Sequence, residues 1–408
     1  MIQDGRQTNP LNDWKADDSL INMNNYSKSK IYDLVTPHQE LLLKAALLSG
    51  QDALDAWQKW QDKIDWNDHL DQGSFRVLPL LYNNLQKHGV DDPVMGKLKG
   101  VYRNAWSKNQ TLFHQTAGIV DYLQSAGIQT MLLKGAPLSL LYYKNNGSRP
   151  MADIDVLVSL KQARHAYELL QKAGWTSSPP VSELDLIFGH AVQLKNSFGM
   201  EFDLHWRPFN SCCEDYEKDF WDGAIPVKMA NVISLAPNPT NMLFHVIIHG
   251  MVWNPVPSIR WIADAITVMN SDDFSINWQK LISMAQRHYL SQRFKKGLKY
   301  LYNHFHPAIP SSVMKLVEGL PVSYLEKIEY RLMAKNRDIE SVGAYSAFCS
   351  HLCRFRRLNS GNVNFPVGKF SRSLQWRMNA RNGYDLAYKG LRITANMVFS
   401  RPFQVRHR

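Results

Sequence analysis

Four cysteines, Cys212, Cys213, Cys349 and Cys353, are all that 408 residues contain. Adjacent cysteines rarely bridge, and none of the four has zinc-ribbon spacing, so a disulfide scaffold is excluded. Cys349-Ser-His351-Leu-Cys353 is at most half a zinc site with no second half, and free thiols in a reducing compartment are the expectation. No apolar run approaches the roughly 20 residues that span a bilayer. The opening Met1-Ile-Gln-Asp-Gly-Arg lacks the basic-then-apolar profile of a secretory signal, which makes a cytoplasmic location the expectation. Internal repeats and long low-complexity tracts are absent too. His245 and His249 stand four apart, but Val246 holds the position where a zincin requires Glu, and a metalloprotease is excluded.

Acidic residues are scarce at one end only. The net charge is +11, and from Ser350 onward twelve Lys and Arg residues face Asp385 alone. The whole excess therefore belongs to the C-terminal segment. Such a segment suits a polyanion, an anionic membrane surface or a nucleotide. Phe355, Phe370, Trp376, Tyr384, Tyr388 and Phe399 interleave with its arginines, as base stacking would require. The plainer reading is a basic amphipathic helix docked on the body with its charges solvated.

Hydrophobic residues make up 45% of the chain and the mean hydropathy is −0.34, ordinary values for a chain of two or three domains. The spacing predicts a weakly ordered polar arm over 1–30 and a helical bundle over 31–126. In the bundle Leu42, Ala45, Trp57, Trp60, Leu78, Leu81 and Leu85 recur at helical intervals. Asp91-Asp92-Pro93 reads as an acidic helix start, and Gly127 ends the run that follows. An α/β core is expected over 127–236. Within it Ser159 can cap a helix over Leu160–Ala173 that Gly174 closes. His190–Lys195 and Met200–Trp206 alternate around the turn Asn196–Gly199, predicting an antiparallel hairpin. Helical spacing resumes at Asn238-Pro239 and continues through Phe294 and Leu298, giving a second helical region over 237–350. Gly361–Gly368 reads as a linker, and 351–408 forms the basic segment.

The chemistry gathers in the middle. Ile128–Leu133 is a short β-compatible run followed directly by Lys134-Gly135-Ala136-Pro137. A glycine there lets the backbone approach a phosphate, and a helix starting near Ala136 would aim its N-terminus at the anion. Arg149 precedes the strand Asp153-Ile-Asp155-Val-Leu-Val158, whose period of two sends Asp153 and Asp155 to one face and Ile154 and Val156 to the core. Two carboxylates so close call for a cation, and oxygen-only ligands suit Mg²⁺. In Glu201-Phe-Asp203-Leu-His205-Trp206 the residues Glu201, Asp203 and His205 share a face, and Asp203 is a third candidate ligand. Lys134 reaches triphosphate oxygens or ends a strand in water. Arg149 offers a fork to phosphate or pairs with Asp153 or Asp155. His205 orients a carboxylate or touches substrate, or else packs in a strand.

The order Lys134-Gly135-Ala136, Asp153-x-Asp155, Asp203 resembles the nucleotidyltransferase superfamily. With Arg149 and Asp203-Leu-His205-Trp206 it looks more narrowly like the bacterial uncharacterised nucleotidyltransferases, over about Pro37 to Phe305. Ala136, where the wider superfamily usually has Gly or Ser, and the long gap from Gly135 to Asp153 fit the narrower family better. The resemblance implies an α+β, mostly helical fold, with a small mixed sheet between N-terminal and C-terminal helical regions. It implies Mg²⁺ or Mn²⁺ on Asp153, Asp155 and Asp203, and a nucleoside triphosphate such as ATP against Lys134, Gly135, Ala136 and Arg149. The acceptor would be a small molecule, sugar phosphate, peptide or RNA. His249-Gly250 and Arg260-Trp261-Ile-Ala-Asp264 recur in that family, which makes His249 and Asp264 further pocket candidates. The competing expectation is a non-catalytic nucleotide- or RNA-binding protein on the same scaffold.

Overall fold

The computed structural model describes residues 34–66, 70–209, 214–251, 259–335, 344–359 and 366–399. The expected arm over 1–30, Cys212, Cys213 and residues 361–365 of the expected linker lie outside them.

Local signals set the N-terminal helices. Thr36 and Gln39 form a reciprocal capping box with Pro37 in the first turn, and this starts the helix Pro37–Leu47. The helices Gly50–Gln61, Leu78–Lys87 and Met95–Ser125 follow. Leu42, Leu43, Trp57, Trp60, Leu78 and Leu81 are buried together, so the tryptophans are core residues, as their spacing suggests. Asp92 does not cap the long helix at its first residue. Its Oδ1 accepts from the Val94 amide at 2.8 Å and holds the turn before Met95. Gly127, at φ +76°, supplies the left-handed residue just past the helix end.

Six strands form one mixed sheet: β1 (Met131–Leu133), β2 (Asp155–Leu157), β3 (Ala191–Lys195), β4 (Glu201–His205), β5 (Ile225–Met229) and β6 (Val232–Ala236). Their order is β3-β4-β2-β1-β6-β5. The β3–β4 and β5–β6 pairs are antiparallel hairpins, and β1 runs antiparallel to β2. β2 with β4, and β1 with β6, are parallel. The first hairpin follows the alternation in the sequence. The second is not signalled, because its two-residue loop lacks Asn-Gly or Asp-Gly and places Ala230 at φ +51°. Pro226 confines β5 to the edge of the sheet.

The pleat separates two cores. Leu132, Val156, Leu204 and Phe202 pack with Phe113, Val120, Tyr167 and Leu170 of the helices Met95–Ser125 and Ala163–Lys172. Met131, Leu133 and Leu157 join the other core, with Phe244, Ile247 and Ile262 of the helices Pro239–Gly250 and Arg260–Met269. Leu133 pairs with Asp155, and Asp155 with Asp203. The carboxylates therefore leave the sheet on the side of the second helical region. Asn238 caps Pro239–Gly250 by accepting from the Asn241 amide at 3.0 Å. Ser159 makes no such cap; its hydroxyl turns to Gln162 Oε1 at 3.3 Å.

The described part of the basic segment, 351–359 and 366–399, is docked on the body. The helix Ala344–Leu358 crosses residue 350 without a break, and Pro366 caps Val367–Arg377, so Val367 and Gly368 are helical rather than linker. Arg357 places both guanidinium nitrogens on Glu329, at 2.8 and 2.7 Å. Trp376 donates from Nε1 to Asp185 at 2.8 Å and lies beside Phe188. Arg357 is thus buried and paired, not solvated. Tyr384, Tyr388 and Leu391 of the helix Gly383–Phe399 are exposed. Cys349 and Cys353 are free thiols. No helix among the described residues is long and apolar enough to cross a membrane.

Candidate active site

Direct pairing of Asp155 with Asp203 across parallel strands fixes the heart of the site. With His205, two residues along β4, they offer ligand atoms that all lie within 4.8 Å of one another. This is the set among the described residues with the spacing of a metal centre. Asp155 is buried, 4% exposed, and its Oδ1 meets Lys134 Nζ at 2.5 Å and His205 Nε2 at 2.8 Å. Burial pushes its proton affinity up, but the Lys134 charge and the His205 hydrogen bond prevail and hold it far below the usual carboxylate range. Asp203 lacks such partners. Its Oδ1 is buried with no hydrogen bond, and burial together with the Asp155 charge raises its pKa. An orphaned carboxylate oxygen beside a second carboxylate is the vacancy in bonding that a divalent cation satisfies, so these residues fit a metal.

His205 is 1% exposed, with Nδ1 facing the Arg207 carbonyl at 3.3 Å and Nε2 facing Asp155. Both neighbours are acceptors. The shorter contact places the ring proton on Nε2, donated to Asp155, and ligation of a metal by Nε2 would require that proton to move. Asp153 stands outside the close set, in the extended segment before β2 and on the wall of a cleft. Burial and then the Asp155 charge raise its pKa.

Lys134 ends β1 at φ +50°, a conformation that costs a non-glycine residue of order 1–3 kcal/mol. It is not a strand-end lysine in water; it is the counter-ion of Asp155. Gly135 and Ala136 are buried in the turn Gly135–Pro137, which continues as a π-type turn over Leu138–Tyr143. A Cβ on Gly135 would stand 2.7 Å from both Arg149 Nη1 and Met151 Sδ. Glycine is required here because a side-chain layer lies against its backbone.

Arg149 pairs with neither Asp153 nor Asp155. Its fork is closed on Asp264, Nε to Oδ1 at 2.8 Å and Nη2 to Oδ2 at 2.9 Å, and Tyr143 donates to the same Oδ1 at 2.9 Å. Burial would weaken the Arg149 cation, but Asp264 more than restores it, leaving its pKa raised. Asp264 is therefore the anchor of an arginine. Asn109 holds the same loop, donating to the Arg149 carbonyl at 2.8 Å and accepting from the Met151 amide at 3.1 Å.

The cleft has a volume of about 1040 Å³ and is walled by Lys134, Gly135, Asp153, Asp155, His249 and Trp261, among others. Asp155 lines the cleft, while Asp203 and His205, beside it, do not. His249 opens onto the cleft, where desolvation by the surrounding walls and then the Lys134 charge lower its pKa to about 4. Arg76, Lys108 and Arg260 also line the cleft. No local pattern marks the first two: Arg76 follows the short helix Gln72–Phe75 and Lys108 lies on Met95–Ser125, both far from the D-x-D run. Arg260 opens the helix Arg260–Met269, and no local spacing ties its fork to the cleft.

A family model described as "Uncharacterised nucleotidyltransferase" matches residues 62–306. No curated protein matches the chain. Among solved structures, similarity is found to the crystal structure of an antigenic nucleotidyltransferase-like protein from Paracoccidioides brasiliensis. That match has 16% identity and a TM-score of 0.31, covering 52% of this chain and 94% of the other.

Proposed function

Since the chain belongs to the uncharacterised nucleotidyltransferase family, we propose that it transfers a nucleoside monophosphate from a nucleoside triphosphate to an acceptor, with Mg²⁺ or Mn²⁺ bound at Asp155 and Asp203. The supporting observation is the pairing of those two carboxylates across β2 and β4 beside the cleft, one with an unpartnered buried oxygen. A bound metal would neutralise charge on phosphate oxygens as the transition state forms. The residues do the rest. An acceptor oxygen attacks the α-phosphorus, the bond from that phosphorus to the β-bridging oxygen breaks, and pyrophosphate leaves. Asp153, on the wall of the cleft with its proton affinity raised, takes the proton of the attacking hydroxyl. Lys134, beside Asp155 on the cleft wall, would offer its ammonium to a phosphate oxygen. Gly135, without a side chain, lets Arg149 and Met151 pack against the turn that forms part of the cleft wall. Arg149, closed on Asp264, shapes this floor rather than gripping the nucleotide.

The test is incubation of the protein with each labelled triphosphate, Mg²⁺ or Mn²⁺ and a cell extract, comparing wild type with Asp155→Ala. A labelled acceptor that forms only with wild type supports the reading. Triphosphate that binds and is recovered unchanged favours the non-catalytic nucleotide- or RNA-binding protein.

A further inference from the structure

We infer that Arg260, Arg76 and Lys108 form a second wall of the cleft that binds a phosphate-type anion; this deepens the nucleotidyl-transfer reading and rests on it. The ligand is the polyphosphate tail of the donor or a phosphate on the acceptor, and both present the same chemistry to these side chains.

Charge balance carries the inference. Among the described residues five cations and three carboxylates line the cleft: Lys134 is paired with Asp155 and Arg149 with Asp264, while Asp153 acts on Arg260 through its field without an ion pair. Arg260, Arg76 and Lys108 have no carboxylate within ion-pair distance among the described residues. They come from three elements. Arg76 directly follows the short helix Gln72–Phe75. Lys108 continues the face of Met95–Ser125 that also presents Val101 and Asn104 to the cleft, at helical intervals. Arg260 opens the helix Arg260–Met269. Folding therefore brings three cations without an ion pair to one cavity from both helical regions, and Asp153 offsets one of them, which leaves an excess of two positive charges.

Arg260 is held in place before any ligand arrives. Its Nη1 donates to the Pro150 carbonyl at 2.7 Å, and Pro150 lies between the two backbone groups that Asn109 clamps. The remaining guanidinium edges are left for the cleft. Burial and the neighbouring Arg149 and Arg76 charges disfavour its cation, lowering its pKa to about 10. An arriving anion relieves that repulsion. Planar guanidinium forks match phosphate oxygens in pairs, and the positive excess left after Asp153 suits a multiply charged anion.

The experiment is calorimetric titration of the full-length protein with tripolyphosphate in EDTA, so that the metal site does not contribute. Wild type binds, and Arg76→Gln and Arg260→Gln each weaken binding about tenfold or more, as expected for hydrogen bonds to a charged group. Lys108→Gln weakens it less, and Asp203→Asn does not weaken it. Arg76→Gln and Lys108→Gln keep the test valid if Arg260→Gln fails to fold. Competition between a nucleoside triphosphate and tripolyphosphate assigns the wall to the donor. Inorganic phosphate binding alongside the nucleotide, with the same arginine dependence, assigns it to the acceptor. Absence of tripolyphosphate binding, or binding indifferent to Arg76 and Lys108, overturns the inference. If labelled product never forms while arginine-dependent binding persists, the catalytic reading fails and the wall stands. Product formation with indifferent binding does the reverse.

Discussion

Replacing Asp203 with Asn should change stability in opposite directions with and without metal. The carboxylate of Asp203 faces that of Asp155 with ligand atoms within 4.8 Å. Two unit charges at that separation repel by roughly 3.5 kcal/mol at an effective dielectric of about 20. Lys134 neutralises much of Asp155, and Asp203 is only partly buried, so solvent and counter-ion reduce this to about 1 kcal/mol. In EDTA, Asp203→Asn is therefore expected to melt higher than wild type by roughly 1–3 °C. Wild type then gains from Mn²⁺ or Mg²⁺, by about 2.7 kcal/mol at a hundredfold excess over Kd, and the variant does not. The melting curves should cross as metal is added. Thermal denaturation of both proteins in EDTA and across a metal titration measures this directly. A variant that melts lower in EDTA, or that responds to metal as wild type does, refutes the idea that Asp155 and Asp203 await a shared cation.

Other outcomes follow from the same contacts. Asp264→Ala leaves Arg149 buried without its partner and should cost about 3–5 kcal/mol by chemical denaturation; a wild-type midpoint would contradict the clamp. Arg293 and Arg357 hold Glu329 at a pKa of about 2 despite its burial, against an ordinary 4.5. Its contribution to stability is thus complete above about pH 4.5 and is lost as pH falls towards 2. Acid denaturation of Glu329→Gln should show a shallower loss across that window, with lower stability at neutral pH. His205→Gln should weaken Mn²⁺ more than Mg²⁺ in a binding titration, because imidazole suits the transition metal better. Equal losses would place His205 outside the coordination sphere.

The periodicities of three and four carried the helical regions, because apolar stripes on helices need only local spacing to be seen. The β3–β4 hairpin and the β1 run were legible for the same reason, whereas β5–β6 was hidden by a turn without glycine. Asp155 and Asp203 were readable as candidate metal ligands from alternation within their own strands. The part played by Asp153 was not separable from theirs, because strand phase puts both members of D-x-D on one side without saying which lies under a neighbouring strand. Arg149 had a partner some 115 positions away in the chain, beyond any local pattern.

By itself, then, the sequence determined the family, the helical frame and the acidic strands, all written in short-range spacing and in motif order. Only the tertiary structure decided which charges meet. It closed Arg149 on Asp264, set Lys134 on Asp155, left an oxygen of Asp203 without a partner and assembled Arg76, Lys108 and Arg260 around one cavity. The reason is that ion pairs form between side chains close in space, and β-sheet order and helix packing bring together residues that no interval along the chain relates.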